Sequence, residues 1–114
     1  MPPTVEDRLH DILEAIQDVE KLLGGADLHK FVSDRMLRLA SERLLEIVCE
    51  ASRRLPDGLK AMEPNIDWRK IIDFGNVLRH AYHATDVEKV WDVVQNHQPP
   101  LKAFVERQIQ ALEP

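Results

Sequence analysis

Residues 68–82 of this 114-residue chain read WRKIIDFGNVLRHAY. The apolar side chains of this stretch recur at the spacing of one helical face, which predicts an α-helix. These apolar positions are Trp68, Ile71, Ile72, Phe74 and Leu78. Either Asn65 or Asp67 can cap the start of this helix, the third along the chain.

Two longer helices are predicted before this stretch. The first runs from Thr4 to Leu23, because Thr4 and Asp7 resemble a capping box and Gly24-Gly25 stops the apolar spacing. The second runs from about Asp27 to Leu55, and at ~1.5 Å per residue it would be on the order of 40 Å long. The apolar positions expected to form its buried face are Phe31, Leu37, Ala40, Leu44, Ile47, Val48, Ala51 and Leu55.

Two shorter helices are predicted after it. Thr85 and Glu88 have the spacing of a capping box before a short fourth helix, and Pro99-Pro100 separates that helix from the last one. No stretch alternates apolar and polar residues for long enough to predict a strand. Residues 1–114 are therefore expected to form a single all-α domain, a bundle of four to five helices.

Composition narrows the class of protein. Apolar residues make up 44% and charged residues 31%, which is ordinary for a globular protein, and the net charge of −5 argues against broad, non-specific DNA binding. An acidic total still permits a local basic cleft. A single cysteine, Cys49, excludes an internal disulfide. With neither a signal-peptide pattern nor an apolar segment of membrane length, the chain is expected to be a soluble, cytoplasmic domain.

The end of the third helix carries a row of polar side chains. At 100° per residue, Asp73, Asn76, His80 and His83 fall on one side of the helix, opposite the apolar face. Such a row is either a solvated stripe or a functional site. A histidine near the carboxyl end of a helix also benefits from the helix dipole, which requires no function.

Other groupings of reactive residues are weaker. His80 and His83 could share a metal ion, but no third ligand of matching geometry is evident, so neither a metal nor another cofactor is expected. Glu46 and Glu50 could form a carboxylate pair, although the nearby arginines favour an ion-paired helix flank instead.

The stretch from Trp68 to Tyr82, with Asp86–Trp91 and Pro99-Pro100-Leu101, resembles HepT-like proteins of the HEPN group, the higher eukaryotes and prokaryotes nucleotide-binding domain. The resemblance implies an antiparallel helical bundle that forms a homodimer paired through its third helices. It also implies the toxin of a bacterial toxin–antitoxin system, a metal-independent ribonuclease. The implied partner is a nucleotidyltransferase antitoxin, which can neutralise such a toxin by adding AMP to a tyrosine.

The family motif reads Arg, four residues, His, any residue, Tyr. His80 and Tyr82 match its second half, and Asn76 matches a polar residue that often follows the arginine. The arginine position itself is Gly75, and the nearest arginine is Arg79, which projects ~100° away from His80 around the helix. In a symmetric dimer, Arg79 of the partner could still enter the cleft.

The sequence therefore leaves two functions open. The first is a ribonuclease toxin, with His80, Asn76 and Arg79 as catalytic residues, Asp73, Gly75 and His83 as candidate cleft residues, and Tyr82 as the target of AMP addition. The second is a non-catalytic dimeric HEPN module that binds its nucleotidyltransferase partner, or a nucleotide, without cutting RNA. Gly75 favours the second function, whereas the retained Asn76, His80 and Tyr82 favour the first.

Overall fold

The computed structural model describes residues 2–80 and 86–113, and within these ranges every regular element is a helix. The predicted all-α bundle is confirmed. Its α-helices are α1 (Val5–Leu23), α2 (Leu28–Ser33), α3 (Arg35–Arg53), α4 (Asp57–Ala61), α5 (Trp68–His80), α6 (Val87–Asp92) and α7 (Gln98–Leu112). A π-helical segment, Val93–His97, joins α6 to α7.

Helix α1 begins and ends as its sequence predicts. The Thr4 hydroxyl accepts a hydrogen bond from the Asp7 backbone N–H at 3.0 Å, and the Asp7 carboxylate accepts one from the Thr4 N–H at 2.9 Å. This is a complete capping box. At the other end, Gly24 has φ +54°, a conformation that favours glycine, and its N–H donates to the Glu20 carbonyl at 3.0 Å.

The single long helix predicted from Asp27 to Leu55 is wrong, because Asp34 interrupts it. Asp34 has an extended backbone, and its carboxylate accepts a hydrogen bond from the Leu37 N–H at 3.0 Å, which starts α3 and lowers the pKa of Asp34. Phe31 of α2 is fully buried, with its ring centroid 5.2 Å from that of Trp91.

The buried face of α3 also differs from the expected one. Ala40, expected to be buried, is exposed, whereas Ser41, Leu45 and Cys49 are buried beside the correctly predicted Val48. Helix α3 packs on both α1 and α5, and α1 packs on α7. These contacts bury a wider strip of α3 than one apolar stripe provides.

The predicted boundary between the last two helices is also wrong. Pro99 and Pro100 do not separate two helices: they lie in the first turn of α7, where the missing backbone N–H costs no helical hydrogen bond. The predicted cap Thr85 lies outside the described residues. Asp86 caps α6 by accepting a hydrogen bond from the Glu88 N–H at 3.0 Å.

Helix α5, which carries the candidate site, begins after Asp67. The Asp67 carboxylate accepts a hydrogen bond from the Lys70 N–H at 3.1 Å, so one of the two predicted caps is used. The Trp68 ring contacts Phe104 of α7 edge-on, with centroids 5.4 Å apart. None of the helices in the described part of the chain is both long enough and apolar enough to cross a membrane.

Candidate functional site

The exposed face of α5 carries three of the predicted site residues. Asp73, Asn76 and His80 are all exposed, and His80 is the last residue of α5 that the structure describes. Asn76 lies one turn before His80 on the same side. Asp73 lies a further turn back, where its carboxylate is 3.8 Å from the Arg69 guanidinium. Tyr82 and His83 lie outside the described residues.

Arg79 connects this face of α5 to α3. Its Nη1 donates to Glu50 Oε2 at 3.1 Å, and its Nη2 donates to the side-chain oxygen of Asn76. The guanidinium of Arg79 is therefore bound by residues of its own chain, and one of them is Asn76, which lies one turn before His80. The contact with Glu50 is not predictable from the sequence, since 29 residues separate the two positions and no local pattern connects them.

Glu50 binds two further arginines. The Arg53 guanidinium donates to both Glu50 oxygens, at 3.1 and 2.8 Å, and Arg54 Nε donates at 3.0 Å. Glu46 is 3.4 Å from Arg43, so the interpretation of these two glutamates as an ion-paired flank agrees with the structure. The hydrogen bond from Arg53 lowers the pKa of Glu50 to about 2, with a smaller contribution from Arg54, although partial burial acts in the opposite direction.

A groove of about 320 Å³ lies beside this group of charges, between α1 and α3. Arg79 and Glu50 form one border of the groove, and a short apolar stretch of α3 also lines it. The remaining charged lining residues are Arg8, Asp11, Arg43 and Glu46. The groove therefore presents both donors and acceptors to a polar ligand.

Gly75 does not lie on the exposed face with His80. It is buried against α3, and a Cβ atom at this position would be only 2.6 Å from the Cβ of Cys49. Five residues correspond to ~140° around a helix, so position 75 projects away from the His80 side. The glycine serves a contact inside one chain, and it gives no support to helix pairing between two chains.

Cys49 of α3, which faces Gly75 of α5, is a packing residue. The thiol is buried, and burial raises its pKa to about 12. It therefore remains protonated at neutral pH and is a poor nucleophile. Within residues 2–80 and 86–113, no three His, Cys, Asp or Glu side chains are arranged to bind a metal ion.

The Glu50 ion pairs make stability depend on pH. Because the folded pKa of Glu50 is lowered from 4.5 to about 2, its contribution is fully present above about pH 4.5 and is lost as the pH falls through the folded pKa. We expect Glu50→Gln to lower the free energy of unfolding near neutral pH. The difference from the wild type should shrink as the pH approaches 2. Urea denaturation across this range measures it, and a difference independent of pH would contradict the assignment.

Comparisons with known proteins agree with the sequence resemblance. The family model described as "Ribonuclease HepT-like" matches residues 12–108. The chain is 35% identical over 98 residues to a "Putative RNase" of Methanocaldococcus jannaschii, covering 86% of this chain and 90% of that protein. It is 35% identical over 102 residues to a "Probable ribonuclease HepT" of Thermococcus cleftensis, covering 90% and 93%. No solved structure matches the chain.

Proposed function

The chain belongs to the HepT-like ribonuclease family, and on that basis we propose that it is a metal-independent endoribonuclease that uses His80 for acid–base catalysis. The observation that supports this most is the exposed position of His80 at the end of α5, with Asn76 one turn away and the Arg79 guanidinium bound to Asn76. The side chains on this surface can move a proton and bind a phosphate.

Histidine suits both proton transfers of metal-free RNA cleavage, since its ordinary pKa is ~6.5. A base removes the proton of a 2′-hydroxyl, and the 2′-oxygen attacks the adjacent phosphorus. The bond from phosphorus to the 5′-oxygen breaks, and an acid gives that leaving oxygen a proton. The products are a 2′,3′-cyclic phosphate and a 5′-hydroxyl.

The two proton transfers occur on opposite sides of the phosphorus, and the motif supplies one histidine per chain. We therefore propose a homodimer that pairs through α5 and brings two copies of His80 to one phosphate. Light scattering at tens of micromolar protein checks the oligomeric state.

Arg79 takes the role of the motif arginine in this proposal. A guanidinium binds a phosphate by two hydrogen bonds and stabilises negative charge in the transition state. Glu50 and Asn76 each occupy one terminal nitrogen of Arg79, which fixes the plane of the group. In this proposal Gly75, which stands where the family motif has arginine, has only a packing role between α5 and α3.

In the cell we place this activity in a toxin–antitoxin pair in the cytoplasm. The antitoxin would be a nucleotidyltransferase that adds AMP to Tyr82, two residues after His80. Each AMP brings a negatively charged phosphodiester next to the position of the substrate phosphate, and it also fills space there. Both effects oppose RNA binding.

We expect co-expression with the proposed nucleotidyltransferase antitoxin to increase the mass of the protein by one or more AMP units. The increase should be lost in Tyr82→Phe, which removes only the acceptor hydroxyl. Intact-mass spectrometry measures both results. If the mass stays unchanged, or if it increases equally in Tyr82→Phe, the partner inhibits by another route, such as covering the site.

A second candidate is a dimeric HEPN module that binds the nucleotidyltransferase, or a nucleotide, without cutting RNA. The burial of Gly75 against Cys49 favours it, because this position cannot supply the guanidinium that the family motif has there. A cleavage assay on the pure protein distinguishes the two candidates. Cleavage that depends on His80 supports the ribonuclease, and stable partner binding without cleavage supports the module.

A further inference from the structure

Three guanidinium groups surround one carboxylate where α3 ends next to α5. Arg53, Arg54 and Arg79 all donate hydrogen bonds to Glu50, and we call these four residues the arginine cluster. Three positive charges against one negative charge leave the cluster with a local excess of two, although the chain as a whole has a net charge of −5. The arginine side chains are between 37% and 52% exposed.

Glu50 does not use up the donors of the cluster. Each guanidinium has five N–H groups, and a carboxylate accepts about four hydrogen bonds. Glu50 accepts two from Arg53, one from Arg54 and one from Arg79, so its oxygens are saturated. Among the residues that the structure describes, most donors of these three groups have no protein acceptor. They can bind an anion from solution.

The cluster is continuous with the proposed catalytic face. Arg79 immediately precedes His80 in the chain, and it also bonds to Asn76, one turn before His80. Arg53 and Arg54 extend the positive surface from Arg79 along the end of α3. An extended polyanion bound at His80 can therefore also contact the neighbouring guanidinium groups of the cluster.

We propose that the arginine cluster binds the phosphates next to the scissile bond of a single-stranded RNA, with Arg53 and Arg54 as RNA-binding residues and Glu50 as the positioning residue. This inference rests on the proposed ribonuclease function and adds to it the path of the substrate. Guanidinium groups pair with phosphate oxygens in the same two-bond geometry that Arg53 uses on Glu50.

Binding is tested with single-stranded RNA whose 2′-hydroxyls are methylated, so that it cannot be cleaved. We expect Arg53→Gln and Arg54→Gln each to weaken binding several-fold in fluorescence anisotropy. Each should also reduce the slope of log affinity against log salt by about 0.7, the value for one phosphate contact on a single strand. Arg107→Gln is the matched control, because it removes the same charge from a side chain that pairs with Glu63 on another part of the surface.

Glu50→Gln tests the positioning role separately from charge. The substitution makes the arginine cluster more positive. If Glu50 only repels the RNA phosphates, the variant should bind RNA more tightly and cleave it faster. A positioning role predicts instead that kcat falls although RNA binding is not weakened. Circular dichroism and urea denaturation confirm that each variant is folded under the assay conditions.

The outcomes separate this inference from the proposed function. If the wild type cuts RNA and the arginine variants bind RNA with unchanged affinity and salt slope, the cluster is not the substrate path and the ribonuclease stands. If the arginine variants lose RNA binding but the wild type cuts nothing, the cluster binds RNA and the ribonuclease fails. If these variants lose only the nucleotidyltransferase partner, the cluster is a protein-binding surface and the inference is overturned.

Discussion

His80→Ala should reduce RNA cleavage by about 100- to 10,000-fold, the range expected for loss of a general acid–base group. The fold and the affinity for uncleavable RNA should not change, because His80 is exposed on α5. If the homodimer joins two copies of His80 at one phosphate, the substitution removes both the acid and the base. Initial rates on a labelled single-stranded RNA measure the effect.

Two controls accompany this measurement. His10→Ala removes another exposed histidine, one that lies near Glu6 on α1, and it should cut RNA as the wild type does. Wild-type activity should also survive EDTA, because histidine performs both proton transfers in the proposed reaction. An activity that requires Mg²⁺, or that is indifferent to His80, contradicts the mechanism.

Gly75→Arg should destabilise the protein and should not raise its cleavage rate. From the family motif alone, restoring the arginine would be expected to increase activity. In the structure, a Cβ atom at position 75 would lie 2.6 Å from the Cβ of Cys49, so the backbone of α5 or α3 must shift to admit any side chain. Overpacking of this kind costs ~1–3 kcal/mol, and the long arginine side chain should reach or exceed the upper end. Urea denaturation measures the loss.

Smaller changes at the same contact separate the steric effect from helix propensity. Gly75→Ala should also destabilise, although alanine is the better helix former by ~1 kcal/mol. Gly58→Ala in α4 is the matched control, since a Cβ there meets no atom of the described residues within 4 Å, and it should be neutral or stabilising. Removing the opposing Cβ with Cys49→Gly should recover part of the loss in the double variant. If Gly75→Arg proves as stable as the wild type and cuts RNA faster, position 75 supplies the guanidinium after all.

Several features of this protein follow from the sequence because they depend on neighbours within three or four residues. The Thr4 and Asp7 capping box, the glycine end of α1 and the Asp67 cap are hydrogen bonds between nearby backbone and side-chain groups. The helical spacing of the apolar residues likewise reports one helix at a time. These local signals are sufficient to predict an all-α bundle, and the resemblance over residues 68–101 is sufficient to predict the family.

The sequence pattern predicted helix boundaries wrongly where a residue type is compatible with two local structures. An aspartate can sit on a helix surface or cap a new helix, and the burial of Phe31 beside Trp91 accompanies the break that Asp34 makes between α2 and α3. Two prolines can end a helix or begin one. The π-helical segment before α7 leads directly into the helix whose first turn contains Pro99 and Pro100.

Only the tertiary structure assigned roles to Gly75, Glu50 and Arg79. Gly75 looked like a gap in a catalytic motif, but it is buried opposite Cys49, where α5 and α3 pack too closely for a Cβ atom. Glu50 looked like one member of a helix flank, but it also binds Arg79 from a position 29 residues away. Both contacts form because α5 packs against α3. The spacing of apolar residues within one helix does not determine the distance or the angle at which two helices pack, so the sequence pattern could not predict these contacts.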